Sequence, residues 1–120
     1  MTRYSVALTL IILASFPAHS ECIDIWDETT TKRANELRGI ALNMLDAEGD
    51  NCIDIKKRTE RSACQCSYRQ QDLIKFRSAY KAFLTDYPQY NGKGLCFTDT
   101  NNQGAWINLV AYNKMEKWCL

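Results

Sequence analysis

Residues 62–86 have the sequence SACQCSYRQQDLIKFRSAYKAFLTD, and this stretch determines most of the expected fold. Its large apolar side chains recur at helical spacings of three, four and seven residues, which place them on one face of an α-helix. Tyr87 and Pro88 end the pattern, because the residue before a proline is disfavoured in the helical region. The stretch predicts a long amphipathic helix, and its apolar positions, continued by Tyr87, are Cys66, Leu73, Phe76, Tyr80 and Phe83.

Two further helices are expected around this one. Residues 28–48 show the same periodicity, and Trp26 is expected to pack on the first turns of that helix as a hydrophobic staple. Residues 103–118 are expected to form the last helix, after a short extended segment at residues 95–98 that has no obvious partner strand. The predicted fold is therefore an all-α, three-helix domain with a short extended segment before the last helix.

The first twenty residues have the features of a bacterial secretory signal peptide. Arg3 supplies an early positive charge, residues 6–14 form an apolar run, and residues 18–20 are small or polar, as at a cleavage site. The apolar run is too short to span a bilayer comfortably. We therefore expect a signal peptide over residues 1–20, one mature domain over residues 21–120, no membrane anchor, and a periplasmic or secreted location.

Six cysteines follow the expected cleavage site, and an even number in an exported domain predicts disulfide bonds. Two residues apart on a helix, Cys64 and Cys66 point about 200° from each other and cannot easily form a bridge. Cys66 lies on the apolar face, so we expect it to pair with a cysteine on a packed neighbour. Cys64 faces the connection before its helix. The expected pairs are Cys66–Cys119, Cys52–Cys64 and, by exclusion, Cys22–Cys96.

The mature sequence has few of the residues on which enzymes depend. The only histidine of the chain, His19, lies in the expected signal peptide, so the mature sequence has none and cannot form a Ser-His or Cys-His nucleophile system. The acidic run 46–54 fails as a calcium loop, because Asn51 replaces the turn glycine and Lys57 replaces the bidentate glutamate. The alternative to disulfide formation is that the six cysteines bind zinc or copper as thiolates. We expect no catalytic residue, metal or cofactor, with a carboxylate-based enzyme as the remaining alternative.

The charges balance over the mature chain but are unevenly distributed along it. Without Arg3 the basic residues equal the 14 acidic ones, and this balance argues against a nucleic-acid-binding protein. Acidic residues predominate in the segment 21–54 and basic residues in 55–81. The two segments either face each other or are simply solvated, or the basic one forms a face for an acidic partner.

The connection after the long helix is a candidate binding loop. Tyr87, Tyr90 and Lys93 lie close together there, and rigid tyrosines supply contact area at low entropic cost. The alternative is that both rings fold back on the helices. Trp106 and Leu109 depart from the apolar face of the expected last helix, which indicates either a second core contact or an exposed partner surface.

Several motifs between residues 64 and 119 are similar to those of known exported proteins. They are Cys64-x-Cys66, Phe76-x-x-x-Tyr80, Tyr87-Pro88, Gly92-Lys93 and the terminal Trp118-Cys119. This part of the chain resembles a family of small, disulfide-containing exported proteins of Gram-negative bacteria whose role is uncharacterised. The resemblance covers about half of the mature chain, and it implies no activity and no binding residues.

These observations together predict a non-enzymatic binding protein whose partner is another protein. An inhibitor or immunity protein that blocks a toxin or a hydrolase would have these properties. The alternative is a secreted effector or toxin that acts on another cell. The sequence is also compatible with a homodimer.

Overall fold

The computed structural model describes residues 22–120, so the expected signal peptide lies outside the described residues. In chain order, the elements are β1 (Cys22–Asp24), α1 (Glu28–Asp46), α2 (Arg58–Asp86), a 3-10 turn (Pro88–Tyr90), β2 (Gly94–Thr98), β3 (Gly104–Asn108) and α3 (Leu109–Met115). The expectation of an all-α fold is wrong, because a three-stranded sheet accompanies the three helices.

The sheet has the order β1-β2-β3, with β2 in the centre. β1 runs parallel to β2, and β3 runs antiparallel to it. A tight turn joins β2 to β3, in which Asp99 Oδ1 accepts hydrogen bonds from the backbone N–H groups of Asn101 and Gln103, both at 2.9 Å. Asn102 adopts φ 63° in this turn, a conformation that asparagine tolerates better than most residues. The extended segment expected at residues 95–98 therefore has two partner strands.

The expected helix over residues 103–118 is only partly present. Its first third is β3, and the helix α3 covers Leu109–Met115 alone. In β3, Ala105 and Ile107 point to the same side as Leu95 and Phe97 of β2, which brings their side chains to the core. Asn108 then starts α3, because its Oδ1 accepts from Val110 N at 3.0 Å.

Helices α1 and α2 form an antiparallel hairpin. At one end, Arg33 Nη1 lies 2.8 Å from Asp86 Oδ2, and at the other, Arg69 Nη2 lies 2.6 Å from Glu48 Oε1. Asp27 begins α1 by accepting a hydrogen bond from Thr30 N at 2.9 Å, and this hydrogen bonding lowers the pKa of the Asp27 carboxyl. α2 begins at Arg58, four residues before the predicted start, and ends at the predicted residue.

The core lies between this helix hairpin and one face of the sheet. Aromatic residues of α2 occupy its centre, with Tyr112 of α3 packed edge-on against Phe76 and Tyr80. The Tyr80 hydroxyl is satisfied inside the core, where it lies 2.5 Å from Asn113 Oδ1 and donates to it. The largest fully buried side chains are Tyr80, Phe76, Phe83, Met44, Leu73, Leu95, Ile107, Leu109 and Cys52.

Three disulfide bonds cross-link these elements, and they join the three pairs expected from the sequence. Cys22–Cys96 joins β1 to β2, Cys52–Cys64 holds the connection between α1 and α2, and Cys66–Cys119 ties the chain end to α2. No cysteine in residues 22–120 is free. Such a set is compatible with an oxidising environment. No helix within the described range has the length and apolar composition that a membrane span requires.

Candidate functional site

The sheet has one face on the core and one face open to solvent. Side chains alternate along each strand, so Leu95 and Ile107 face inward while Cys96 and Trp106, a directly opposed pair, face outward. The parallel register places Asp24 beside Cys96 on the same outward side. The open face therefore carries the Cys22–Cys96 disulfide, a tryptophan and a carboxylate within a few ångströms of the strand backbones.

Trp106 lies across the open face above Gly94. A Cβ atom at position 94 would be only 2.8 Å from Trp106 Nε1 and 3.6 Å from both the Cα and the Cβ of Cys22. Only glycine leaves room for the indole to approach the backbone this closely. Although it rests on the sheet, Trp106 is still 46% exposed.

A second tryptophan, Trp26, stands between β1 and α1 and is 84% exposed. The backbone on both sides of it is well anchored. Ile25 is buried and its N–H donates to Cys96 O at 2.8 Å, while Asp27 caps α1. Trp26 is therefore held on a fixed segment with its side chain in solvent. The predicted packing of Trp26 on the first turns of α1 does not occur, since Ile25 occupies the core instead.

Two open grooves border Trp26. The first, of about 430 Å³, extends along the open sheet face between Trp26 and Trp106. The second, of about 570 Å³, lies on the other side of Trp26, between α1 and the β2–β3 turn. Both are lined by Ile25, Trp26 and Thr98, so they form one continuous surface. We call this surface, with its two grooves, the Trp26 surface.

The charged residues that line the Trp26 surface are mostly acidic. Asp24 lines the first groove; Glu28, Glu36 and Asp99 line the second, where Lys32 is the one basic side chain. The side chain of Asp99 is occupied by the turn between β2 and β3. In the part of the chain that the structure describes, the ion pairs involve neither Asp24 nor the two glutamates. These three carboxylates are therefore free to meet a ligand.

The residues that the sequence predicted to bind a partner do not lie together in the structure. Trp106 belongs to the Trp26 surface, whereas Tyr87, Tyr90 and Lys93 line neither of its grooves. Leu109 is fully buried under the sheet, with its N–H bonded to Lys93 O at 2.9 Å, and so cannot be part of an exposed patch. Its departure from the helical face reflects a core contact.

The two tyrosines fold back on α2, while Lys93 stays exposed. The Tyr87 ring packs against Phe83 with centroids 5.0 Å apart and against Tyr90 at 5.9 Å, and Arg33 covers it at 5.5 Å. Both tyrosines are half-buried, and this packing uses much of the area that a partner would contact.

Trp26 was not among the binding residues predicted from the sequence. A signal was nevertheless present, because Ile23 and Ile25 alternate with Asp24 and Trp26 as in a half-buried strand. A strand at this position would have placed Trp26 on the side opposite to the isoleucines.

One group of potential metal ligands occurs in residues 22–120, and it also lies on the open face. The ligand atoms of Cys22, Asp24 and Cys96 are all within 4.8 Å of one another. The two sulfur atoms are joined in a disulfide, so neither is available as a thiolate. The group therefore cannot hold a metal while the bond is intact.

Comparison with known proteins identifies no relative of this chain. No family model, curated protein or solved structure matches it.

Proposed function

We propose that this chain is an exported, periplasmic or secreted, non-enzymatic protein that binds another protein through the Trp26 surface. The observation that carries this proposal is the 84% exposure of Trp26 on a rigid segment beside a second exposed tryptophan. Tryptophan is among the residues most enriched at the energetic centres of protein interfaces. An inhibitor or immunity protein that blocks a toxin or a hydrolase is the form of this function that we favour.

The anchoring of the surface supports this proposal. The Cys22–Cys96 bond and the Ile25 N–H to Cys96 O bond hold the segment before Trp26 against β2. The Asp27 cap holds the segment after it against α1. A binding surface that is ordered before it meets its partner loses less conformational entropy on association.

The chemistry of the grooves also favours binding over catalysis. Their lining has no histidine and no free thiol, and the three unpaired carboxylates are spread over a surface that is open to water. General acid–base catalysis needs groups with matched pKa values around an enclosed substrate. An open apolar surface with aromatic residues at its centre is typical of protein–protein contacts instead.

The proposal is tested by affinity capture with matched variants. The oxidised mature protein is immobilised and exposed to periplasmic and culture-supernatant extracts of the producing cells, and bound proteins are identified by mass spectrometry. Trp26→Ala and Trp106→Ala should each lower the affinity for the captured partner by about 30-fold or more, the effect expected of residues at the centre of an interface. Thermal unfolding verifies that each variant is folded.

Two exposed isoleucines outside the Trp26 surface supply the controls. Ile53 is 69% exposed and Ile74 is 63% exposed, and neither lines the two grooves. Ile53→Ala and Ile74→Ala should leave capture unchanged. A partner that binds all four variants equally would contradict the assignment of the Trp26 surface. If the captured partner is a hydrolase or toxin, loss of its activity on binding would identify an inhibitor.

A further inference from the structure

We propose that the part of the partner that docks on the Trp26 surface is a cationic segment, in which an arginine or lysine side chain stacks on the Trp26 indole. This inference rests on the proposed function, because it names the chemistry of the partner for that same surface. It follows from the charges around Trp26, from the accessibility of its ring and from the position of the basic residues of this chain.

Carboxylates outnumber basic groups around Trp26, and within residues 22–120 three of them form no ion pair. Asp24 lies on one side of the indole, and Glu28 and Glu36 lie on the other. Lys32 is the one basic side chain in either groove lining. The nearby Arg33 points elsewhere, since it is paired with Asp86 and covers the Tyr87 ring. The surface therefore has a negative local charge, although the whole chain is nearly neutral.

An accessible indole adds a second attraction for a cation. The face of a tryptophan ring attracts a guanidinium or ammonium group within about 6 Å of its centroid, more strongly than tyrosine or phenylalanine does. Trp26 is exposed between two acidic grooves, so one cation can contact the ring and a carboxylate together. Arginine fits best, because its planar guanidinium stacks on aromatic rings and forms paired hydrogen bonds with carboxylates.

The apolar part of the grooves limits the occupant further. The exposed side chains of Trp26 and Trp106 line the first groove, and these apolar rings suit an aliphatic side chain next to the cation. We therefore expect a segment in which basic and aliphatic residues alternate. In an extended segment, successive side chains would point alternately to the carboxylates and to the groove.

The experiment uses two synthetic peptides and the oxidised mature protein. The probe is acetyl-Gly-Arg-Leu-Arg-Gly-amide, and its matched control has citrulline, which has nearly the same shape but no charge, in place of both arginines. Binding is followed by the NMR signal of the Trp26 indole N–H, which Trp26→Phe assigns. The arginine peptide should shift this signal in a saturable way, and higher salt should reduce its affinity. An equal shift with the citrulline peptide would overturn the proposal.

Charge-neutralising variants test whether the arginine peptide binds at the Trp26 surface. The double variant Asp24→Asn with Glu36→Gln should bind the arginine peptide with an affinity about three- to tenfold lower, since each exposed ion pair contributes modestly to binding. Asp50→Asn combined with Asp54→Asn removes two exposed carboxylates from the far end of the helix hairpin and should have no effect. An equal loss of affinity in both double variants would indicate a general charge effect and would overturn the proposal.

Two other outcomes separate this inference from the proposed function. One outcome is that Trp26→Ala abolishes binding of the natural partner, while salt and the double variant Asp24→Asn with Glu36→Gln leave this binding unchanged. The surface would then bind a partner, but the proposal that the docking segment is cationic would be wrong. A second copy of this chain is the other candidate occupant, because Lys56, Lys57 and Arg58 are exposed. If the protein self-associates as its concentration rises, and if changing these three residues to Gln abolishes this association, the occupant of the surface is a second copy of the chain and not another protein.

Discussion

Gly94 and Trp106 form the contact that shapes the first groove. The indole nitrogen of Trp106 lies where a side chain at position 94 would begin, at 2.8 Å from an added Cβ. The tryptophan is thereby laid over the sheet beside the Cys22–Cys96 disulfide instead of projecting freely. Trp26 has no such contact and is more exposed. Gly94 therefore lets Trp106 lie closer to the sheet than a larger residue at that position would allow.

Two buried tyrosines make stability depend on pH at the alkaline end. Burial raises the pKa of Tyr80 to about 12, with Glu116 adding to the rise, and burial also raises the pKa of Tyr112 to about 12. Because these pKa values exceed the ordinary value near 10, the unfolded chain loses the protons first. The stabilisation is complete below about pH 10 and is lost as the pH rises from about 10 to 12. Urea unfolding at several pH values should show this decrease in the free energy of unfolding.

Substitution of one tyrosine tests the origin of this decrease. Tyr112→Phe removes one titrating group, so the free energy of unfolding should fall less steeply between pH 10 and 12. Tyr68 is exposed, and Tyr68→Phe is the matched control that should keep the original slope. Equal slopes in both variants would mean that the buried ring of Tyr112 is not the source.

At the scale of elements, the segment from Gly104 to Asn108 decides the fold class. Ile107 fits two patterns, since it lies four residues before Ala111 on a helical face and shares one face of a strand with Ala105, two residues before it. The strand prevails because β2 offers paired backbone groups and a core position beside Leu95. Local periodicity cannot distinguish these outcomes over five residues, and the energy of the sheet contacts comes from residues distant in sequence.

The change from strand to helix at Asn108 gives a prediction. Asn108 Oδ1 accepts hydrogen bonds from Val110 N and Ala111 N, which have no partners within the first turn of α3. Asn108→Ala should lower the free energy of unfolding by about 1 kcal/mol, the usual cost of losing such a cap. Chemical denaturation of the oxidised protein measures it.

Asn43→Ala is the control for the loss of an asparagine. Asn43 is exposed within α1, where alanine has the higher helix propensity, so this variant should be neutral or slightly stabilised. If the two variants lose similar stability, the cap at Asn108 does not contribute as proposed.

At the scale of the whole molecule, the three disulfides close loops of different lengths. Cys66–Cys119 spans 53 residues and ties the chain end to α2, whereas Cys52–Cys64 spans 12 and holds one connection. Arg77 adds to the first tie, since its Nε donates to Glu116 O at 2.8 Å and its Nη2 donates to Trp118 O. The longer loop restricts the unfolded chain more strongly.

Paired removal of each bond tests this order. The loop-entropy relation gives a stabilisation of about 4 kcal/mol for Cys66–Cys119 and about 3 kcal/mol for Cys52–Cys64. Cys66→Ala with Cys119→Ala should therefore reduce the free energy of unfolding more than Cys52→Ala with Cys64→Ala, as measured in denaturant without reductant. The reverse order would show that local packing around the fully buried Cys52 outweighs loop length.

The candidate site could be predicted from the sequence only in part. Trp106 was a candidate, but it was assigned to a helix, and Trp26 was expected to pack against one. Leu109 was a candidate and proves to be core. An exposed side chain is defined by what the rest of the chain fails to cover, and β1 and β2 are separated by about seventy residues in sequence. No pattern of neighbouring residues contains that information.

The sequence by itself indicated the helices α1 and α2 and the cysteine pairs, whereas the antiparallel packing of the two helices was seen only in the structure. Helix α2 follows from hydrogen bonds and side-chain contacts between residues three or four apart, and such contacts are visible in local periodicity. The helical face of Cys66 and the position of Cys64 then indicate their partners. Only the tertiary structure decided that residues 22–24 and 104–108 join β2 in a sheet and leave Trp26 exposed, because strand pairing depends on hydrogen bonds between segments far apart in the chain.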